Sequence, residues 1–152
     1  LPIQDKILIL DQIQDPGNLG TMIRSAFAFD FLDIVISEDT VDLYNEKVVR
    51  ASEGMLFSVN VIRKELKPFL EEIKKEYQIL TTDVKEGKNI KQVALNKKLA
   101  LIIGNEGQGV KESIKKQASE FIKIPINKNC DSLNAGIAAS ILMYEIKEKS
   151  HE

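Results

Sequence analysis

The chain has 152 residues, of which 43% are hydrophobic and 29% are charged, and its net charge is −2 at pH 7. These values are typical of one globular domain with a substantial core, and no apolar run or leader suggests a membrane span or signal segment, so we expect a cytoplasmic protein. One cysteine and one histidine exclude a disulfide framework and a multi-cysteine or histidine-based metal site, so no metal is expected.

Strand-like and helix-like segments alternate along the chain. In chain order, the sequence predicts a strand at Lys6–Leu10, a helix from a cap at Asn18 to about Asp30, a strand at Asp33–Ser37, a helix from Asn45 through Ala51, a strand at Phe57–Ile62, a helix from near Pro68 to about Tyr77, and a strand at Gln78–Thr82. Beyond a polar stretch with one helical turn at Ile90–Ala94, it predicts a strand at Leu99–Ile103, a helix at Val110–Gln117, a strand at Phe121–Ile124 and a helix at Leu133–Lys149. This alternation predicts an α/β fold, with a largely parallel sheet and helices on both of its faces.

Three segments are dense in glycine, proline or asparagine, and each lies where an apolar run stops: residues 15–24, 101–109 and 124–134. Such segments bend the chain sharply and offer backbone amides to a ligand. In open α/β sheets, ligands bind beyond the carboxyl ends of the strands, which is where these segments fall. We therefore expect the three segments to converge on one site at an edge of the sheet.

Arginine is rare in this chain: only Arg24, Arg50 and Arg63 occur among its 21 basic residues. The guanidinium group is a planar fork that suits phosphate or carboxylate, whereas lysine is a hydrated point charge. Arg24 lies inside the first dense segment and is therefore the first candidate for an anion-binding group. The alternative is a solvated arginine on the first helix.

The dense segments contain three motifs. The first reads N-x-G-x-x-x-R, the second is an apolar strand followed by G-x-E-G-x-G, and the third is I-P-I followed by S-L-N and a helix of small residues. Their residues are Asn18, Gly20 and Arg24, then Gly104, Glu106, Gly107 and Gly109, then Ile124, Pro125, Ile126, Ser132, Leu133 and Asn134. In order and spacing these motifs resemble those of the SpoU (TrmH-like) 2′-O-ribose RNA methyltransferases of the SPOUT superfamily. A weaker fourth match is R-x-S-x-G at residues 50–54, and one departure is Lys128, where the third motif usually has glycine.

The resemblance implies a fold and a cofactor. Chain topology rules alone would favour an unknotted sheet, whereas the family has a deep trefoil knot, with its C-terminal segment threaded through a preceding loop. The cofactor implied is S-adenosylmethionine, held largely by backbone groups and apolar side chains of the second and third motifs: Gly104, Gly109, Ile124, Ile126 and Leu133. Taken singly, these residues would equally suit a strand end and an apolar core.

The resemblance also implies five catalytic-site residues: Arg24, Asn18, Glu106, Ser132 and Asn134. The family's arginine is often proposed as a general base, but a guanidinium group stays protonated in proteins. We therefore expect Arg24 to bind the phosphate beside the target ribose and to stabilise charge developing on its oxygen. Glu106 is expected to orient Arg24 or Asn18. The alternative for Asn18 is a role as a helix cap, and the alternative for the other two is a structural role, with Ser132 as the cap of the last helix and Asn134 in its first turn.

The expected activity is 2′-O-methylation of a ribose in structured RNA, with ribosomal RNA favoured over transfer RNA. Residues 1–152 would be the catalytic domain of a longer protein that has an N-terminal RNA-binding domain. Expected partners are RNA and a second copy of the chain, whereas DNA and membranes are not expected. The homodimer would use the first and last helices, whose surplus apolar residues are Phe27, Phe29, Phe31, Ile137, Tyr144 and Ile146. Two alternatives stay open: a non-catalytic knotted RNA-binding module, and a nucleotide-phosphate loop at residues 104–109, although that loop lacks the G-K-S/T of a P-loop.

Overall fold

The computed structural model describes residues 4–150, and within them it contains one sheet of seven strands, in which all neighbouring strands are parallel. The strands are β1 (Lys6–Leu10), β2 (Asp33–Ile36), β3 (Asn60–Arg63), β4 (Gln78–Thr82), β5 (Lys88–Asn89), β6 (Leu99–Ile103) and β7 (Glu120–Lys123). Their order across the sheet is β3-β2-β1-β6-β4-β7-β5. The inner strands β1 and β6 are continuous aliphatic runs because both of their faces are covered.

The described residues also form five α-helices: α1 (Pro16–Ala28), α2 (Glu46–Ala51), α3 (Leu66–Ile73), α4 (Glu112–Lys115) and α5 (Ala135–Lys149). One face of the sheet packs against α1 and α5, which bury Met22 and Met143. The opposite face packs against α3 and α4, which bury Leu70 and Ile114. The predicted α/β fold, with a parallel sheet and helices on both faces, is confirmed. No helix in this part of the chain has the length and apolar character that a membrane crossing requires.

The start of α1 differs from the prediction. Its cap is Asp15, whose carboxylate accepts a hydrogen bond of 3.1 Å from the backbone N–H of Gly17, and Pro16 occupies the first helical position. Proline suits that position because its fixed φ is helical and its missing N–H would have no partner there. The prediction that Asn18 caps the helix is therefore wrong, and Asn18 lies in the first turn with only 8% of its surface exposed.

Other boundaries differ in ways that local geometry explains. Phe57 lies in a short 3₁₀ turn instead of a strand, because Gly54, at φ +81°, turns the chain before β3 begins. The helix α3 ends at Ile73, before the predicted end near Tyr77, and α4 covers only part of the predicted helix. The polar stretch after β4 forms the short edge strand β5, and its helical turn is a 3₁₀ turn at Ile90–Gln92.

The outer surface of α1 and α5 is less apolar than the sequence predicts. Phe27, Ile137 and Tyr144 are 38%, 52% and 46% exposed, as expected for surplus apolar residues. Phe31 and Ile146 are fully buried in the chain's own core, so the expectation that they add to this surface is wrong. For Ile146 the reason is helical spacing, since it follows the buried residues of α5 by three and four positions.

Helix α1 lies directly against α2 at the glycine of the first motif. A Cβ added at Gly20 would stand 2.4 Å from the Cβ of Ala51 and 2.7 Å from the carbonyl oxygen of Val48. No side chain fits in that space, so the glycine sets how closely the two helices approach. The contact fixes α1, and with it Arg24, against the turn that follows α2.

Candidate active site

A cavity of about 390 Å³ opens at the carboxyl ends of β4, β6 and β7. All five residues expected to hold the cofactor line it: Gly104, Gly109, Ile124, Ile126 and Leu133. Glu106 and Ser132 also line the cavity. The second and third dense segments therefore form this cavity, as the sequence predicts. The first segment, with Arg24 and Asn18, does not line it and lies beside it.

The second motif forms a closed turn above β6. Asn105 and Gly109 exchange two backbone hydrogen bonds, of 3.0 and 2.9 Å, and Gly109 has a φ of +74°. A Cβ added at Gly104 would lie 2.3 Å from both the carbonyl carbon of Gly109 and the nitrogen of Val110. Contacts that short do not occur between real atoms, so only glycine permits this turn to close over the strand end.

Glu106 connects this turn to the first segment. Its carboxylate accepts hydrogen bonds from the backbone N–H groups of Gln14, at 3.2 Å, and Asp15, at 2.9 Å. Beside it, the side-chain amide of Asn105 donates to the carbonyl oxygen of Gln12 at 2.8 Å. Two polar side chains of one loop therefore hold the backbone that leads into α1.

Arg24 has a different partner from the one expected. Its guanidinium Nη1 lies 3.0 Å from a carboxylate oxygen of Glu53, in the turn after α2. The expectation that Glu106 orients Arg24 or Asn18 is therefore wrong, since Glu106 binds backbone N–H groups before the helix. The Arg24 side chain is 55% exposed, so its charge is accessible from solvent.

The first turns of α1 and α5 meet at Gly136. A Cβ added there would lie 3.1 Å from Asn18 Oδ1 and 3.2 Å from Asn134 Oδ1. Asn134 caps α5, because its side chain accepts a hydrogen bond of 3.1 Å from the N–H of Ile137. The cap of the last helix is therefore Asn134 and not Ser132, which lies two residues earlier. The last helix thus starts two residues later than predicted, and Ser132 remains in the loop that borders the cavity.

Comparison with known proteins agrees with this geometry. The model of the SpoU rRNA Methylase family matches residues 5–144.

The chain belongs to the SpoU methylase family.

Among curated relatives, the 23S rRNA (guanosine(2553)-2′-O)-methyltransferase RlmP of Bacillus subtilis is 35% identical over 143 residues, which are 93% of this chain. The chain spans 58% of that relative's length. Among solved structures, an AdoMet-bound rRNA methyltransferase from Sinorhizobium meliloti is 28% identical with a TM-score of 0.91, covering 98% of this chain and 59% of that one. The SpoU methyltransferase AviRb from Streptomyces viridochromogenes, in complex with the cofactor AdoMet, is 26% identical with a TM-score of 0.89, covering 97% and 62%.

This SpoU methylase chain also has an ion pair at the cavity that the motifs did not reveal. Lys115 Nζ lies 3.0 Å from Asp83 Oδ2, the two side chains are 28% and 16% exposed, and both residues line the cavity. Burial would raise the pKa of Asp83, but hydrogen bonds from Lys115 and from the N–H groups of Glu86 and Lys85 outweigh it and lower the pKa below its ordinary value. Asp83 directly follows β4, and this position at the carboxyl end of a strand was the signal in the sequence that could have placed it at the site.

Proposed function

We propose that this chain catalyses the transfer of a methyl group from S-adenosylmethionine (AdoMet) to the 2′-hydroxyl of a ribose in ribosomal RNA. The observation that carries the proposal is the cavity, which brings together all five residues assigned to the cofactor from their motifs. The names of the similar proteins support the same reaction and cofactor. RlmP and the Sinorhizobium meliloti protein are both named as rRNA methyltransferases, which supports ribosomal RNA as the substrate.

The cavity fits the chemistry of AdoMet. Its walls combine the side chains of Ile124, Ile126 and Leu133, which suit an adenine ring, with the backbone of the glycine turn at residues 104–109. The absence of a side chain at Gly104 allows this turn to close over the end of β6, which shapes the wall of the cavity. When bound, the cofactor supplies an electrophilic methyl group on a sulfonium. The protein's part is to hold this group in line with the ribose hydroxyl, which is worth about 7–11 kcal/mol in favourable cases.

Arg24 is the group that we assign to the RNA. Because a guanidinium group stays protonated, Arg24 acts as a clamp for the phosphate beside the target ribose and stabilises the negative charge that develops on the attacking oxygen. The proton of the hydroxyl passes to water late in the reaction. We assign the ribose to Asn18 and Asn134, whose side-chain oxygens both lie beside Gly136. Glu106 acts indirectly, by fixing the backbone before α1.

The chain path around the cavity supports one further part of the proposal. The cavity is lined by residues from the loop after β4 as well as from the C-terminal segment that includes Ser132 and Leu142. A trefoil knot would bring these two parts of the chain together, so we include the knot in the proposal. The proposal also keeps the expected setting, in which the chain serves as a catalytic domain that works on RNA in the cytoplasm, with neither DNA nor a membrane as partner.

Cofactor binding tests the first half of the proposal. We expect AdoMet or its demethylated product, S-adenosylhomocysteine, to bind with a micromolar dissociation constant, about 8 kcal/mol, because the pocket is formed by the chain itself. Isothermal titration calorimetry would measure it, with a nucleoside triphosphate as the control ligand. Folded protein that gives no binding heat at millimolar AdoMet, or that binds the triphosphate instead, would overturn the assignment.

Methyl transfer tests the second half. An unmodified 23S rRNA transcript, incubated with the chain and radiolabelled AdoMet, should gain label at a 2′-oxygen, which alkaline hydrolysis reveals as a resistant dinucleotide. A transfer RNA transcript of similar concentration is the comparison. Binding of both cofactor and RNA without any transfer would favour the non-catalytic RNA-binding module.

We further propose that the chain forms a homodimer through α1 and α5, so that each site borders the partner. Phe27, Ile137 and Tyr144 supply exposed apolar surface on these two helices, and the ring of Tyr144 packs edge-to-face on Phe29 at 5.7 Å. A stable contact would bury about 1,200 Å² or more in total. Light scattering at tens of micromolar should therefore give about twice the 17.1 kDa monomer mass.

The double variant Phe27→Glu, Ile137→Glu should return the mass to that of the monomer, because charged groups cannot be buried unpaired at the interface. Phe121→Glu is the matched control, since Phe121 is 39% exposed but lies on β7, with its ring centroid 5.9 Å from Lys115 Nζ of α4. A monomeric mass for the unmodified protein would refute the dimer. So would a double variant that keeps the same mass as the control.

A further inference from the structure

We propose that Glu53 is a positioning residue that holds the guanidinium group of Arg24 until a phosphate of the RNA replaces its carboxylate. The inference deepens the proposed function, and it rests on that function because it takes Arg24 as the phosphate-binding group. The contact that carries it is the 3.0 Å ion pair between Arg24 Nη1 and the Glu53 carboxylate. The carboxylate therefore occupies one of the guanidinium nitrogens through which a phosphate of the RNA would bind the fork.

The position of Glu53 opposite Arg24 follows from the packing of the two helices. The backbone nitrogen of Ser52 would lie 3.0 Å from a Cβ added at Gly20, so the turn after α2 is pressed against α1. Ser52 is fully buried, and its hydroxyl donates to the carbonyl oxygen of Val49 at 2.9 Å. Arg24 follows Gly20 by four residues, on the same face of α1. A rigid turn therefore presents Glu53 to the arginine.

The backbone of Glu53 supports a role beyond surface charge. Its φ is +50°, in the left-handed region that favours glycine or asparagine, and the next residue, Gly54, also has a positive φ of +81°. A glutamate in this conformation costs free energy that glycine would not. Strained residues of this kind cluster at functional sites, where the surrounding structure holds them in place. Here the strain directs a carboxylate at Arg24.

The ion pair between Arg24 and Glu53 is weak enough for a phosphate to replace the carboxylate. Both side chains are more than half exposed, at 55% and 61%, so solvent screens the attraction between them. A carboxylate and a phosphate bind the same guanidinium fork, through similar charge-assisted hydrogen bonds. A phosphate that RNA brings to Arg24 can therefore replace Glu53 without breaking a buried contact. In RNA-free protein, the glutamate keeps the fork directed toward the turn after α2.

The test compares Glu53→Gln with a matched control, Glu46→Gln. Glu46 pairs with Arg50 at 3.4 Å on the neighbouring helix α2, so both variants remove one negative charge from an exposed ion pair on the same part of the surface. Both should bind a 23S rRNA transcript somewhat more tightly, because the protein repels the polyanion less. Only Glu53→Gln frees Arg24. Its dissociation constant and KM for the transcript should therefore fall about threefold below those of the control, or about 0.7 kcal/mol at 1.4 kcal/mol per tenfold.

A double variant separates competition for Arg24 from a general effect on the fold. In an Arg24→Lys background, Glu53→Gln should give less than half of that gain, because the shared partner has lost its planar fork. Equal affinities for Glu53→Gln and Glu46→Gln would overturn the proposal. So would a rise in KM for Glu53→Gln, or a gain that is unchanged in the Arg24→Lys background. Failure of the proposed function itself would look different, since the unmodified protein would then transfer no methyl group to the transcript.

Discussion

Gly104→Ala should reduce the affinity for AdoMet at least tenfold, to the point where calorimetry detects little binding at micromolar concentrations. The added methyl group would lie 2.3 Å from backbone atoms of Gly109 and Val110, which cannot rotate away as a flexible side chain can. The turn must therefore move off the end of β6. Because this turn forms one wall of the cavity, its displacement changes the pocket as well as the packing. Overpacking of this kind costs about 1–3 kcal/mol of stability, so the unfolding temperature should also fall.

Gly107→Ala is the matched control in the same turn. A Cβ at Gly107 would meet only the Oδ1 of Asn105, at 3.6 Å, which is an ordinary contact. The two variants add the same atom three residues apart, so a general loss of loop flexibility would affect both. We expect Gly107→Ala to stay within about threefold of the unmodified affinity. If both variants bind AdoMet equally well, the glycine turn is not a wall of the cofactor site.

The sheet was predictable because the residue pattern of its inner strands marks where each strand begins and ends. The inner strands β1, β4 and β6 have the predicted bounds. In β1 and β6 the signal is a run of aliphatic residues, which is typical of a strand that is covered on both faces. The cavity was predictable for a related reason. Its tight turns need residues that can adopt a positive φ or that leave no side chain in a close contact, and glycine is the residue that meets these needs. Glycines grouped at the end of an apolar run therefore predict such turns from the sequence alone. Gly104 and Gly109 meet both needs, since Gly104 has no room for a Cβ and Gly109 has a positive φ.

Polar partners that are distant in sequence were not predictable. Glu106 is 91 and 92 residues from the two backbone groups that it binds, and nothing in either segment specifies the other. The pair of Asp83 and Lys115 has the same character, as does that of Arg24 and Glu53. The predicted helix starts were wrong for another reason. Two good caps compete at the start of α1, and Asp15 prevails over Asn18 because proline follows it directly.

Arg24→Lys should lower the turnover of RNA methylation at least tenfold while leaving AdoMet binding unchanged. Lysine keeps the positive charge but cannot make two parallel hydrogen bonds to a phosphate or to the developing oxyanion. The loss should appear mainly in kcat, because the interaction strengthens as charge develops on the ribose oxygen. Arg24 does not line the cavity, so the affinity for S-adenosylhomocysteine should stay within twofold. Single-turnover methyl transfer to a 23S rRNA transcript would measure the first effect, and calorimetry the second.

The unfolding temperature provides the remaining control for Arg24→Lys. Arg24 is 55% exposed and its described ion pair is with Glu53, so the variant should lose well under 1 kcal/mol of stability. A large fall in stability would mean that the arginine holds the α1–α2 contact, and lost turnover would then reflect the fold. Near-normal turnover would show that Arg24 takes no part in the reaction. Lost turnover with intact stability and intact cofactor binding is the combination that a phosphate and oxyanion clamp requires, because the clamp acts on the RNA and on the transition state alone.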